Sequence, residues 1–233
     1  MKKLIIVLMA IVIMGGSVSL ADFQGQVMIS VNASIDLYYD PLNLLHCEVQ
    51  EGSHLFGSFM YEVPWLDSRP AENIAEYRYT GPDFQNSWMV FMAGGLTFRS
   101  DRSDSYWEFN LADNVMALDS SLEDRYRIIS YKNLPVRDDI PVLFIDWLLT
   151  GDTDCLSSVE LPTEAPVLSD WAFDSGIRII GGEANVPLNQ QFIIEASIYD
   201  VSVMLFPTPE PATILILGMG CVFLIRKKKA NKC

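Results

Sequence analysis

The sequence has few histidines and cysteines and lacks the motifs of common catalytic and nucleotide-binding sites. Its 233 residues include two His, His46 and His54, and four Cys. There is no Gly-x-Ser-x-Gly elbow, no Walker loop and no His-Glu-x-x-His motif. Two histidines without a third ligand at fixed spacing do not specify a zinc site. The sequence therefore predicts no catalytic residue and no metal-binding residue.

Basic residues are scarce between the two chain ends. Seven of the 16 Lys and Arg lie in the first three or the last eight residues, whereas 29 of the 30 Asp and Glu lie within residues 22–206. That segment has a net charge near −20. Such a surface repels nucleic acid and anionic lipid, so no nucleic-acid partner is expected.

Amphipathic helical periodicity is also lacking in residues 22–206, where alternation of apolar and polar residues dominates. Apolar residues at every second position, as in Val27, Ile29 and Val31, are typical of a half-buried strand. Nine or ten such runs, separated by turn residues, predict an all-β protein: an antiparallel, jelly-roll-like β-sandwich. Residues 113–124 are polar and are predicted to form a loop or one helical turn.

The N-terminus has the three parts of a secretory signal peptide. Lys2 and Lys3 precede an apolar segment, Leu4 to Met14, and Ser19 and Ala21 occupy the −3 and −1 positions of a cleavage site. We therefore expect a signal helix in residues 1–21, cleavage after Ala21, and an exported domain over residues 22–206. The alternative is an uncleaved membrane anchor.

The C-terminal tail, residues 207–233, combines a Pro-rich motif, an apolar run and a basic end. Residues 212–225 form the apolar run, and four cations stop it: Arg226, Lys227, Lys228 and Lys229. As a helix, 14 residues reach about 21 Å, short of a bilayer core of about 30 Å. The prolines before the run and the cations after it favour a transmembrane helix that serves as a temporary anchor, with the cations in the cytoplasm.

The tail resembles the PEP-CTERM sorting signal of Gram-negative bacteria. The similarity lies in Pro209, Glu210 and Pro211, then Ala212-Thr213, a Leu/Ile/Gly run and the basic end. Thr208 stands where the usual pattern has Val. The resemblance covers about a tenth of the chain, with the motif at 208–213 and the basic end at 226–233. It implies recognition by exosortase, a membrane cysteine protease-transpeptidase. It also implies export across the inner membrane, transient anchoring, removal of the tail, and delivery to the cell surface or the extracellular polysaccharide matrix.

The body is similar to a domain that recurs in such proteins and has no established chemistry. Gly57-Ser58-Phe59-Met60-Tyr61-Glu62 resembles one of its strands, and Gly94-Gly95-Leu96-Thr97-Phe98 and residues 160–170 are also similar to it. These segments agree with the sandwich prediction.

Three features leave alternatives open for the exported domain. Cys47 and Cys155 are a candidate disulfide in an oxidising compartment. Loop carboxylates such as Asp152 and Asp154 leave a calcium cofactor open, although the spacing of a calcium loop is incomplete. Five tryptophans offer either core packing or a sugar-stacking surface.

We therefore expect an exported, non-catalytic surface or matrix protein that is a substrate of exosortase. The first alternative is a carbohydrate-binding module of the exopolysaccharide matrix, assisted by calcium or not. The second is a secreted hydrolase with converging carboxylates in a cleft.

Overall fold

The computed structural model describes residues 25–63, 67–68, 71, 73–80, 87–104, 106–117, 121–137, 140–171, 174–183 and 186–207. Both terminal segments lie outside these residues. They include the cleavage-site residues Ser19 and Ala21, the motif Pro209-Glu210-Pro211, the predicted transmembrane run 212–225 and the cations 226–229. Within the described residues, no helix has the length and apolar character needed to cross a bilayer.

Ten antiparallel strands make up the described body, which confirms the all-β prediction. The strands are β1 (Gly25–Tyr39), β2 (His54–Val63), β3 (Ile74–Thr80), β4 (Trp88–Ala93), β5 (Leu96–Arg99), β6 (Tyr106–Met116), β7 (Leu122–Ser130), β8 (Val142–Gly151), β9 (Asp174–Gly182) and β10 (Gln191–Pro207). They form a single open sheet in the order β3-β6-β7-β8-β9-β10-β1-β2-β4-β5. Two short 3-10 helices, Leu168–Asp170 and Leu188–Gln190, precede β9 and β10.

The first strand has the alternation that its sequence predicts. Side chains at odd positions from Val27 to Ile35 are fully buried, whereas those at even positions between them are half-buried. The register between β1 and β10 shifts twice, between Asn32 and Ala33 and between Ile35 and Leu37. Such bulges bend a long strand and increase its twist, which lets a 15-residue strand follow a curved sheet.

The sequence predicted two packed sheets, whereas the hydrogen bonds form one continuous sheet. β10 pairs with both β1 and β9 and so joins the two halves of the sheet. One half is β3-β6-β7-β8-β9, and the other is β1-β2-β4-β5. The halves still pack against each other, because Phe59 on β2 contacts Phe109 on β6 and Trp147 on β8, with ring centroids 6.4 and 4.8 Å apart. These strands are not neighbours in the sheet. The core therefore lies between the halves of a strongly curved sheet.

The loop or helical turn expected at residues 113–124 is a β-hairpin instead. β6 runs on to Met116, β7 begins at Leu122, and the two residues are paired. A bulge between Ala112 and Val115 contains Asn114 in the left-handed region at φ 54°. The prediction was wrong because the strand ends at this hairpin, Met116 and Leu122, are exposed, and the polar sequence around them lacks the alternation of a half-buried strand.

Gly57 on β2 allows a ring from the neighbouring strand to lie across the backbone. Gly57 is paired with Phe91 on β4, and a Cβ atom at position 57 would lie within 2.7 Å of three ring atoms of the buried Phe91. We expect Gly57→Ala to lower the free energy of unfolding by about 1–3 kcal/mol through overpacking.

Urea unfolding of Gly57→Ala, Phe91→Leu and the double variant measures this effect. The smaller side chain at position 91 should recover part of the loss, so the double variant should lose less than the sum of the single variants. If the double variant instead loses the sum of the two single losses in the free energy of unfolding, position 57 and the Phe91 ring are not in contact.

Candidate functional site

A long connection between β8 and β9 covers one end of the core and lines a cavity there. This segment, residues 152–171, is named the strap here. It contains no strand and ends in the 3-10 helix Leu168–Asp170. The cavity beneath it measures about 660 Å³ and lies between Val63, Tyr77 and Tyr126 of the sheet and residues 155–171 of the strap. Its size is in the range of small-molecule sites.

Asp124 fixes the start of the strap. Its carboxylate is fully buried and accepts two backbone N–H groups, from Asn114 at 2.8 Å and from Leu156 at 2.7 Å. Asn114 is the bulge residue of the β6–β7 hairpin, and Leu156 belongs to the strap. One side chain therefore joins the hairpin to the strap and satisfies two donors.

Two tyrosines hold the middle of the strap from the sheet. Tyr61 donates its hydroxyl to the Pro162 carbonyl at 2.5 Å, and Tyr77 donates to the Val159 carbonyl at 2.9 Å. Burial raises the pKa of Tyr77 to about 12 and raises the pKa of Tyr61 well above its usual value. Both hydroxyls therefore remain protonated donors throughout the physiological pH range.

Cys155 and Trp171 close the strap onto the sheet. The Cys155 thiol donates to the Asp170 carbonyl at 2.9 Å, and the Trp171 ring packs edge-on against Tyr126 with centroids 6.0 Å apart. Burial, followed by nearby carboxylates such as Asp124, raises the pKa of the Cys155 thiol. A thiol with a raised pKa is a poor nucleophile at neutral pH.

The candidate pair Cys47 and Cys155, which the sequence leaves open, is not bonded in the structure. Both are free thiols, and Cys47 is exposed in a left-handed turn at φ 59°, with its thiol 3.2 Å from the Asn43 side-chain oxygen. Cys155 is instead directed toward Asp170.

Carboxylates and apolar side chains line the cavity. Glu160, Glu164 and Asp170 contribute carboxylates, and Leu161, Pro162, Pro166 and Val167 contribute apolar surface. Among the described lining residues there is no His, Lys or Arg. The buried Tyr126 hydroxyl has no hydrogen-bond partner among the described residues. The cavity thus offers acceptors and apolar surface, and no described hydrogen bond joins one of its carboxylates to a hydroxyl or thiol that lines it.

The two histidines that the sequence singled out have separate surroundings. His54 begins β2 and its Nδ1 lies 2.7 Å from the Tyr199 hydroxyl on β10. His46 lies in a left-handed turn at φ 53°. Within the described part of the chain, no three His, Cys, Asp or Glu side chains are placed to hold a metal ion.

The acidic clusters are likewise dispersed. Asp101 accepts both the backbone N–H and the hydroxyl of Ser103, and Asp104 pairs with Lys132. Asp152 and Asp154 are exposed at the first turn of the strap. Asp119, Asp138 and Asp139 lie outside the described residues.

Most tryptophans belong to the core rather than to a binding surface. Trp107, Trp147 and Trp171 are buried, and the half-buried Trp88 ring lies 5.1 Å below the guanidinium of Arg102. Trp65 is not among the residues that the structure describes. Tyr106 and Tyr131 stack on each other with centroids 5.1 Å apart. They do not form the flat, side-by-side surface that sugar stacking favours.

The sequence does not reveal the role of the strap. Its prolines, Pro162 and Pro166, fit a segment without a strand. Asp124 is the last residue of the polar segment 113–124, and nothing in its local sequence distinguishes a buried anchor from an exposed acid. Comparison with protein families, curated proteins and solved structures finds no match for this chain.

Proposed function

We propose that this chain is an exported, non-catalytic surface or matrix protein, delivered by processing at both ends. The observation that carries the proposal is the Pro-Glu-Pro motif with its apolar run and basic stop, which begins immediately after the last strand. β10 ends at Pro207, and the motif occupies residues 208–213. The resemblance to PEP-CTERM tails supports exosortase as the processing partner.

The sheet boundaries fit this processing. β1 begins at Gly25, four residues after the proposed cleavage site at Ala21, and all ten strands lie within residues 25–207. Removal of both terminal segments leaves every strand and the described core intact. A sandwich-like body between two removable segments is the finer fold that we propose for the whole chain.

Both terminal segments leave the body at the same end of the sheet. Gly25 is paired with Pro207 because β1 and β10 are antiparallel neighbours. The tail therefore follows directly after a strand in the middle of the sheet order, β10, which lies between β9 and β1. The prolines at 207, 209 and 211 favour a short, stiff spacer. This geometry supports a body held at the membrane by a single point until the tail is removed.

Mass spectrometry of the protein in its native host tests the proposal. We expect the surface or matrix form of the wild type to begin after Ala21 and to lack the residues that follow the Pro-Glu-Pro region. Replacing Pro209, Glu210 and Pro211 together by alanine should retain Cys233 and leave the protein in the inner membrane, with at least about a tenfold loss of the surface form.

Thr208→Ala is the matched control, because Thr208 is the one position of the 208–213 motif that departs from the usual pattern, and the substitution leaves Pro209, Glu210 and Pro211 unchanged. It should be processed like the wild type. An intact Cys233 in the surface form of the wild type would overturn the sorting proposal.

The proposed role of the delivered body is structural. Buried tryptophans, and a cavity in which no described lining hydroxyl or thiol donates to a lining carboxylate, favour this role over sugar stacking or hydrolysis. Extracellular polysaccharide is a proposed partner because the proposed sorting route delivers the protein to the polysaccharide matrix. We assign no binding surface for it.

A further inference from the structure

The hydroxyl of Tyr126 is a buried donor beside the cavity beneath the strap, which is named the strap cavity here. Tyr126 lines this cavity and is 2% exposed, and its hydroxyl has no hydrogen-bond partner among the described residues. Burial raises the pKa of Tyr126 well above its usual value, so the hydroxyl keeps its proton at physiological pH. Because nearly all buried polar groups in proteins are paired, this unpaired donor needs an explanation.

The other two tyrosines beneath the strap are paired. Tyr61 and Tyr77 donate their hydroxyls to the strap carbonyls of Pro162 and Val159. Three further buried donors have no partner within the described part of the chain, and none of them is among the described lining residues: Ser87, Trp107 and Trp147. Of these unpaired donors, Tyr126 is thus the one that borders the strap cavity.

Carboxylates lie at the mouth of the same cavity. Glu160, Glu164 and Asp170 are exposed residues of its lining, whereas Tyr126 and Trp171 are buried. The lining therefore runs from a buried aromatic floor to an acidic mouth. No ion pair among the described residues involves Glu160 or Glu164. Such a mouth attracts cations and repels anions.

Apolar side chains complete the wall of the strap cavity. Leu161, Pro162 and Pro166 are half-buried in the lining, and Val167 is 61% exposed, so the wall reaches the surface. In the described part of the chain, no three His, Cys, Asp or Glu side chains are placed to hold a metal ion. An apolar wall and about 660 Å³ of space favour a small organic molecule over an inorganic cation.

Hydrogen bonds from the sheet hold the strap over the cavity. Asp124 bonds the strap backbone near its start, and Tyr61 and Tyr77 bond it near its middle. A site whose walls are fixed by internal hydrogen bonds loses little conformational freedom on binding. The strap cavity therefore has the rigidity that a specific binding site requires.

We propose that the strap cavity binds a small organic cation with an apolar body and an oxygen acceptor at the end opposite its charge. The oxygen accepts the hydrogen bond of the Tyr126 hydroxyl at the floor, and the apolar body lies against the wall. The ammonium group lies beside Glu160 and Glu164 at the mouth. This inference goes beyond the structural role proposed for the body and does not depend on removal of the tail.

Three probes with the same six-carbon chain and the same hydroxyl test the charge requirement. They are 6-aminohexan-1-ol, hexane-1,6-diol and 6-hydroxyhexanoate, and binding is measured by equilibrium dialysis of the full chain in a mild nonionic detergent. We expect one 6-aminohexan-1-ol per chain at saturation. The dissociation constant of the diol should be at least about threefold higher, and 6-hydroxyhexanoate should show no saturable binding.

Variants at the floor and at the mouth test the two ends of the ligand separately, with hexylamine as a probe that lacks the oxygen. Tyr126→Phe should raise the dissociation constant of 6-aminohexan-1-ol by about three- to tenfold and leave that of hexylamine unchanged. Glu160→Gln combined with Glu164→Gln should raise both amine dissociation constants by at least about threefold and leave that of the diol unchanged. Glu51→Gln removes an exposed acid that is not a lining residue and should bind every probe as the wild type does.

Thermal unfolding of Tyr126→Phe without a probe separates a binding donor from a structural one. The variant should unfold at the same temperature as the wild type or at a higher one, because it removes a buried donor that has no described partner. A lower temperature would show that the hydroxyl has a structural partner and would overturn the proposal. So would the absence of saturable binding of 6-aminohexan-1-ol, binding of 6-hydroxyhexanoate as tight as that of the amine, or binding that the Tyr126 and glutamate variants leave unchanged.

Discussion

Asp124→Ala should lower the free energy of unfolding by about 2–5 kcal/mol and release the strap from the sheet. The buried carboxylate accepts the N–H groups of Asn114 and Leu156. Alanine would leave both N–H groups, which are partly buried, without a protein partner, and the loss of each hydrogen bond to the carboxylate costs about 1–3 kcal/mol. Urea unfolding measures the loss, and limited proteolysis within residues 152–171 measures the release.

Two further substitutions give this prediction its controls. Asp124→Asn keeps one acceptor oxygen but places an NH₂ group against the second N–H, so it should lose about half as much stability as alanine. Asp104→Ala removes an exposed acid paired with the exposed Lys132 and should cost less than about 1 kcal/mol. Equal stability of Asp124→Ala and Asp104→Ala would show that Asp124 does not anchor the strap.

The strands were the most predictable part of this fold. Alternation in β1 and β10, and the Gly94-Gly95 turn between β4 and β5, are local signals that fix strand positions. Their order in the sheet is not local. β3 pairs with β6 rather than with β2 or β4, and no periodicity in Ile74–Thr80 specifies that partner.

Features that depend on distant contacts were not predictable from the sequence. The burial of Asp124 follows from the meeting of a hairpin bulge with residue 156, which lies 32 residues away. The position of β10 between β1 and β9 depends on the pairing of strands from opposite ends of the chain. Each residue involved has an ordinary local sequence, so its role appears only once the sheet is assembled.

Among the core substitutions, we expect the largest loss in the free energy of unfolding at Trp147 on β8. Its ring is fully buried and packs against Phe59 on β2, on the opposite half of the sheet, and against Tyr126 on β7. We expect Trp147→Ala to cost about 3–5 kcal/mol in the free energy of unfolding, since it removes a large ring and leaves a cavity between the halves.

Trp147→Phe separates the loss of packing from the loss of the indole N–H. The Trp147 Nε1 has no hydrogen-bond partner among the described residues. Phenylalanine removes that buried, unsatisfied donor and retains an aromatic ring, so the variant should lose less than half as much stability as alanine. A cycle with Phe59→Ala should show a coupling of about 0.5–1.5 kcal/mol between the two rings. Because β2 and β8 are not adjacent in the sheet, only packing of one half against the other can produce that coupling, and its absence would show that the halves do not share this core.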